Sequence, residues 1–211
     1  MTDPPELDAG SLTAWFAEIG AALAGSGDAD VACGSCTACC TASQFVHIGP
    51  DETEALAHIP AAVRFPAPGL PAGHVLLGYD QHGRCPMLGE QGCTIYAHRP
   101  RTCRTYDCRV FAATGLRPDE PGKAAIAEQS ERWRFAVDSP EAAATLEAAR
   151  AAATWFRERA ATLPEEIRPS TTTQLAVLAI AGHDLFLGAD STGPEPEAVV
   201  AELVRRRRGP G

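Results

Sequence analysis

The sequence predicts a mainly α-helical protein around an irregular, loop-rich metal-binding core, with an α+β arrangement as the alternative. Apolar residues recur at helical spacing near both ends of the 211-residue chain, and its eight cysteines all lie between those ends. We therefore expect an N-terminal helix within residues 1–30, a cysteine-cluster core over 31–111 and a helical C-terminal lobe over 112–211. The chain is long enough for these parts to form one compact domain without disulfides.

The N-terminal helix is predicted over residues 9–25. A helix cap is available between Asp8 and Ser11, directly before the apolar pattern begins. The apolar residues at helical spacing are Leu12, Trp15, Phe16, Ile19 and Leu23.

The segment between the two groups of cysteines is predicted to be mostly irregular. Prolines and glycines recur from Pro60 to Gly73, which predicts a surface loop. The apolar run from His74 to Tyr79 predicts a short strand directly after it.

The C-terminal part carries the clearest helix signals. Ser139 is a cap residue, Pro140 suits the first helical position, and the helix is expected to continue to Ala161. Residues 172–188 form an apolar run that fits either a buried helix or a pair of strands. A last helix is predicted from Pro196 to Arg207.

Charge and composition exclude several classes of function. The formal net charge of −9 argues against general nucleic-acid binding, and the basic run Arg205–Arg208 suits a solvated helix end better than a binding patch. No apolar run is long enough to span a membrane, and the N-terminus shows no secretory signal. We therefore expect a cytoplasmic protein with free thiols and no membrane or nucleic-acid partner.

The cysteines fall into two groups whose spacing indicates metal ligation. The groups are Cys33, Cys36, Cys39 and Cys40, followed by Cys85, Cys93, Cys103 and Cys108. Gaps of two residues let a tight turn aim two sulfurs at one ion, whereas adjacent Cys39 and Cys40 must face differently. These two bind different metals, or one of them stands behind the ligands, and Cys39 is the weaker candidate. A disulfide framework and inert buried thiols are the alternatives.

Arginines are dense around Cys103, at positions 99, 101, 104 and 109. A site of four thiolates keeps a net charge of about −2 with Zn²⁺ or an oxidised four-iron cluster, so nearby guanidinium groups would stabilise it. Arg99 and Arg104 are the expected compensating residues. The alternatives are surface ion pairs or, for one of them, an anionic substrate or partner.

These residues resemble the YkgJ-type cysteine-cluster family, which is described as chelating zinc or iron. The motifs that carry the resemblance are Cys33, Cys36 and Cys39-Cys40, then Cys85-Pro86-Met87-Leu88, Gly92-Cys93-Thr94-Ile95-Tyr96, Arg99-Pro100 and Cys103-Arg104 through Cys108. The resemblance covers about residues 30–111. The family includes the metal-binding part of flagellin lysine N-methylases, which implies a link to protein methylation. No Gly-rich S-adenosylmethionine loop follows the core.

The expected cofactor is an iron–sulfur cluster, with zinc as the alternative. Three close cysteines and a remote Cys85-Pro86 are similar to the ligand pattern of bacterial ferredoxins, although the fourth ferredoxin cysteine lies closer. Histidines are weaker candidates, with His98 first among His47, His58, His74, His82 and His98. Asp107 is interpreted as a solvated carboxylate, or alternatively as an acceptor behind the ligands. Tyr96 and Tyr106 are expected to shield the site.

The preferred function is metal binding, with the centre serving structure, electron transfer or metal delivery. An enzyme that uses the centre to modify protein or peptide side chains is the first alternative, and it would need an open ligand position. A thiol redox sensor without stoichiometric metal is the second. The expected partner is a metal ion, with a protein or peptide partner also possible in the enzyme reading.

Overall fold

The computed structural model describes residues 5–27, 31, 35–188 and 193–208, so Cys33 lies outside the described residues. Helices α1 to α8 span Leu12–Leu23, Thr53–His58, Arg101–Thr105, Arg109–Thr114, Ala124–Ser130, Pro140–Arg159, Thr172–Gly182 and Pro196–Arg208. Strands β1 to β7 span Leu7–Ser11, Val46–Ile48, Arg64–Pro66, Val75–Leu77, Leu88–Gly89, Gly92–Cys93 and Trp133–Ala136. Helices dominate and the strands are short, which confirms the predicted fold class.

Helix α1 starts later than its sequence predicts. The hydroxyl oxygen of Ser11 accepts a hydrogen bond from Ala14 N and caps the helix, and Leu12, Trp15 and Ile19 are buried. The residues before it are not helical, because Leu7–Ser11 pairs in parallel with β7. The predicted start at residue 9 is therefore wrong, and the strand pairing takes precedence there.

The central part contains more regular structure than predicted. Strands β2, β4 and β3 form an antiparallel sheet in that order, which confirms the strand predicted within residues 74–79. The predicted loop 60–73 includes a short 3-10 turn and strand β3, in which Phe65 pairs with Leu76. Proline is compatible with β3 because this strand lies at the edge of the sheet.

The C-terminal helices follow their local signals. The hydroxyl oxygen of Ser139 accepts a hydrogen bond of 3.1 Å from Ala142 N, and Pro140 occupies the first turn of α6. The apolar run 172–188 is helical, since α7 continues into a 3-10 turn at His183–Phe186. Packing against α6 therefore accompanies the helical alternative, which hydrophobic periodicity alone did not distinguish from a pair of strands.

Arginines at the end of α8 form ion pairs within the chain. The guanidinium group of Arg206 lies 2.7 Å from Asp184, while Arg205 pairs with Glu202 and Arg208 with Glu166. In the part of the chain that the structure describes, no helix has the length and apolar character needed to cross a membrane.

Three clusters of buried side chains form the core, and the cysteines lie where the first and third approach each other. The first includes Trp15, Cys108, Phe111, Ile126 and Trp133. The second is built around Phe156 and the helices α6 to α8. The third lies under the three-stranded sheet and includes Ile48, Ile59, Leu77 and Ile95.

Candidate metal centre

Seven of the predicted cysteine ligands line one cavity of about 320 Å³. They are Cys36, Cys39, Cys40, Cys85, Cys93, Cys103 and Cys108. All seven carry reduced thiols rather than disulfide bonds. Residues separated by up to 72 positions thus reach one space, which sequence spacing alone did not establish.

Cys39 and Cys40 lie in a 3-10 turn, Ala38–Thr41, but they contact different parts of the protein. Neighbouring side chains in such a turn point about 120° apart. Cys39 packs against the first buried cluster. The carbonyl oxygen of Cys40 instead accepts a hydrogen bond of 2.7 Å from Cys85 N, which links it to the sheet side of the cavity.

Cys85 and Cys93 are brought together by a tight hairpin of strands β5 and β6. Leu88 N donates to the carbonyl oxygen of Cys85 at 3.0 Å, and Leu88 then pairs with Cys93 across the hairpin. The turn needs Gly92, whose φ of 109° is rarely adopted by residues with a side chain. Cys85 and Cys93 both pack against the third buried cluster.

Cys103 is an exposed residue that lines the cavity. The surrounding protein atoms therefore still desolvate its thiol. This desolvation, together with nearby Cys85, Cys40 and Cys93, raises the pKa of Cys103 to about 12, while Arg99 opposes the shift. Burial also raises the pKa of the Cys85 thiol. Four cysteines thus lie within electrostatic reach of one another.

Cys108 occupies the opposite wall and is buried, with 7% of its surface exposed. The indole nitrogen of Trp133 donates a hydrogen bond to its sulfur at 3.2 Å. Sequence reasoning did not identify Trp133, because it lies 25 residues away on β7 and carries no motif. Hydrogen bonds to sulfur favour the thiolate and tune metal centres built from it.

Asp107 is not the solvated carboxylate that we predicted. It is buried, and its carboxylate accepts hydrogen bonds from Trp15 Nε1 at 2.6 Å and from the backbone nitrogen of Arg109 at 2.8 Å. The guanidinium group of Arg109 lies 2.8 Å from the same carboxylate. The alternative reading, a carboxylate placed behind the cysteines, fits this position better, since Asp107 fixes the residues that flank Cys108.

The arginines near Cys103 occupy different positions. Arg99 lines the cavity, lies with its guanidinium carbon 3.9 Å from the centre of the Tyr96 ring and donates to the Tyr96 carbonyl oxygen at 2.7 Å. Arg104 is half-buried and is not among the described residues that line the cavity. Arg101 pairs with Asp51 at 2.6 Å on the exposed surface.

The described histidines lie outside the cavity wall. His98 stacks on His58 with ring centres 3.8 Å apart, and its Nδ1 lies 3.5 Å from Glu54. His47 and His74 are hydrogen-bonded to each other at 2.9 Å. His82 lies next to Gln81 on the surface, with a nitrogen contact of 3.2 Å. The structure therefore gives His98 no advantage as a ligand.

Two tyrosines and a lysine complete the surroundings. Tyr96 and Tyr106 both line the cavity, as expected for residues that shield it. Burial raises the pKa of the Tyr106 hydroxyl well above its usual range, and nearby Cys39 adds to the shift. Burial lowers the pKa of Lys123, which Cys39 and Glu120 oppose. Lys123 thus brings a positive charge close to Cys39, a feature that sequence spacing did not reveal.

The sulfurs share a cavity without forming a closed cage. Across the residues described, no three Cys, His, Asp or Glu side chains stand close enough together to hold a metal ion. Each thiol turns about a single bond between staggered positions, so side-chain rotation alone can change the distances between sulfurs. The donor set is rich in soft thiol ligands, which suits zinc or iron–sulfur chemistry.

Comparison with known proteins supports this chemistry for the central segment. Residues 32–120 match the family model of the CxxCxxCC domain, described as "Putative zinc- or iron-chelating domain". The match confirms the resemblance inferred over residues 30–111 and supports metal binding. Neither the comparison with curated proteins nor that with solved structures found a match.

Proposed function

Since residues 32–120 match a zinc- or iron-chelating domain family, we propose that the cysteine cavity holds the metal and that its sulfurs are the ligands. One observation carries the proposal: seven cysteines from three separate segments line the same cavity. Unrelated structural thiols would be dispersed through the core. The full ligand set comprises these seven and Cys33, which lies outside the described residues.

The electrostatics of the cavity favour a cation among the thiols. Burial and neighbouring sulfurs raise the pKa of Cys103 to about 12, because a lone thiolate there would be poorly solvated and repelled. A bound cation reverses this balance, since coordinated thiols lose their protons. The same groups that disfavour free thiolates therefore favour thiolate–metal bonds, and binding releases protons.

An iron–sulfur cluster is the preferred occupant. The two-residue gap from Cys36 to Cys39 and the Cys85-Pro86 pair support it, as does the hydrogen bond from Trp133 to the Cys108 sulfur. Zinc would use the same four-thiolate chemistry and is the competing occupant. In both cases we propose that the centre stabilises the fold. Electron transfer would additionally require the iron–sulfur cluster, and metal delivery would require an exchangeable ion.

Metal analysis tests the proposal directly. The chain is purified without oxygen and without an affinity tag that binds metals, and its iron, acid-labile sulfide and zinc are quantified per chain. We expect iron and sulfide in roughly equal amounts, with an absorption band from sulfur-to-iron charge transfer. Stoichiometric zinc without sulfide would instead identify zinc as the occupant of the cavity. Substoichiometric metal of every kind, in folded protein, would contradict metal binding by the cavity.

Removing the charge of Arg99 should loosen the metal. Arg99 lines the cavity and lowers the pKa of Cys103, so Arg99→Gln weakens the compensation of the thiolate charge. We expect metal transfer to a competing chelator to become about 10-fold faster, the lower end of typical effects for residues behind metal ligands. Arg104→Gln is expected to act in the same direction, whereas Arg101→Gln is the matched control, because Arg101 is close in sequence but pairs with Asp51 on the exposed surface.

Equal transfer rates for Arg99→Gln and the wild type would remove the charge-compensation role of Arg99. Arg99 would then be a candidate for binding an anionic substrate or partner. That role is tested separately by measuring whether Arg99→Gln, at normal metal content, loses affinity for an anionic peptide.

A protein-modifying enzyme is the second candidate, and the mouth of the cavity favours it. Phe45 and Tyr96 line the cavity and yet expose 54% and 46% of their surface. Phe45 also contacts exposed Tyr79, with ring centres 4.9 Å apart. Exposed aromatic groups beside a reactive centre suit contact with a peptide. An enzyme additionally requires a metal position not held by cysteine, which spectroscopy of the loaded protein would reveal.

A further inference from the structure

We propose that the cysteines form two metal centres, and that the adjacent residues Cys39 and Cys40 belong to different ones. This inference rests on the proposed metal binding and adds the division of the ligands. It follows from the two walls of the cavity, each built on a different buried cluster.

The first centre is assigned to Cys40, Cys85, Cys93 and Cys103. A backbone hydrogen bond of 2.7 Å joins Cys85 to Cys40, and the β5–β6 hairpin places Cys93 opposite Leu88, close to Cys85. Cys85 and Cys93 pack against the third cluster. Cys103 lines the cavity from α3, which a hydrogen bond of 2.8 Å from the Thr102 hydroxyl to the His47 carbonyl oxygen joins to the sheet. Four thiols are the number that a tetrahedral site requires, and rotation of the cysteine side chains would have to bring these four sulfurs together around the ion.

The second centre includes at least Cys39 and Cys108, together with Cys36. Cys108 belongs to the first cluster, on the opposite wall, and Cys39 and Tyr106 pack against that cluster. Cys36 lines the same cavity three residues before Cys39, and we assign it to this centre from that spacing.

The two proposed centres have separate polar surroundings. Arg99 lines the cavity beside the first centre, four residues before Cys103. In the second centre, Trp133 donates to Cys108, and the ammonium group of Lys123 donates at 3.3 Å to the carbonyl oxygen of Ala42, three residues after Cys39. Each group of thiolates therefore has its own source of positive charge or hydrogen bonding.

Native mass spectrometry of the wild-type chain tests the number of centres without any substitution. Metal-free protein is titrated with Zn²⁺ under anaerobic conditions, and the bound ions are counted per chain. Two centres predict about two equivalents of tightly bound Zn²⁺. Saturation at about one equivalent would overturn the division while leaving metal binding intact. No tight binding at all would overturn the proposed function itself.

Pairs of serine substitutions test the membership of each centre. Cys39→Ser and Cys40→Ser should each remove about one equivalent, although the residues are adjacent. The double variant Cys39→Ser/Cys108→Ser should lose no more bound Zn²⁺ than either single variant, because both residues belong to the second centre. The pair Cys39→Ser with Cys103→Ser should remove both equivalents. Additive losses within a group, or non-additive losses between groups, would overturn this assignment.

Folding of the variants is checked by far-UV circular dichroism before metal is counted. Should a variant fail to fold, the wild-type count still decides between one centre and two. Cobalt provides an independent readout, since the intensity of sulfur-to-cobalt charge transfer increases with the number of thiolates bound. Cys40→Ser and Cys39→Ser should each leave the charge-transfer band of the other centre in place.

Discussion

Removing the metal is expected to lower the thermal unfolding midpoint by about 10 °C. If metal binds only the folded chain, its contribution at about 1,000 times Kd is about 4 kcal/mol. For a domain of this size, each kcal/mol shifts the midpoint by about 2–4 °C. The measurement compares metal-loaded and chelated protein by circular dichroism, with residual metal quantified in both samples. An unchanged midpoint in verified metal-free protein would contradict a structural role.

Loss of the metal should destabilise the cysteine region before the rest of the protein unfolds. Strands β5 and β6 are two residues long and α3 only five, so these elements gain little from their own hydrogen bonds. Helix α6 spans 20 residues and packs against α7, and none of its residues lines the cavity. Hydrogen exchange after chelation should therefore accelerate first in residues 35–108, with α6 as the internal control. Simultaneous loss of protection in both regions would indicate global unfolding instead.

Local sequence signals predicted the fold where a helix depends on its own residues. Ser139 and Pro140 define the start of α6 by a cap and a constrained φ, and both act within one turn. Strand β1 had no such signal, because it forms through pairing with β7, about 126 residues later. The predicted helix therefore begins at residue 9, inside β1, and the pairing with β7 is missed.

The cysteines were identifiable from sequence, but their surroundings were not. Thiol spacing in 33–40 is a local property of the chain. The neighbours of Asp107 and Cys108 come from Trp15 on α1 and Trp133 on β7, and neither position carries a pattern that relates it to the cysteines. Arg99 and Arg104 looked equivalent in sequence, and only the fold places Arg99 on the cavity wall.

The position of the cysteines between two buried clusters gives the proposed centres a second effect. The first cluster joins α1 to the C-terminal helices, while the third supports the three-stranded sheet. Cysteines from both line the same cavity. Thiolate–metal bonds would therefore hold the sheet side against the helical side, and part of the binding free energy would become folding free energy.

Replacing Asp107 should destabilise the protein strongly even with metal bound. Its side chain is fully buried, and that of Arg109 exposes only 14% of its surface. Asp107→Ala leaves the Arg109 charge without its partner and removes the acceptor of Trp15 Nε1. Breaking a buried pair in this way costs about 3–5 kcal/mol. Urea unfolding of the metal-loaded protein measures the loss as a lower midpoint at similar slope.

Asp51→Ala is the matched control, because the Asp51–Arg101 pair has a similar contact of 2.6 Å but exposes 63% and 54% of its two side chains. Solvent screens such a pair, so little change in the urea midpoint is expected. Asp107→Asn keeps the side-chain shape and one acceptor but removes the charge, and it should fall between the wild type and Asp107→Ala. Equal effects at positions 107 and 51 would mean that the buried carboxylate contributes no more than a surface charge. A large loss at position 107 with reduced metal content would instead show that Asp107 also positions Cys108 for the second centre.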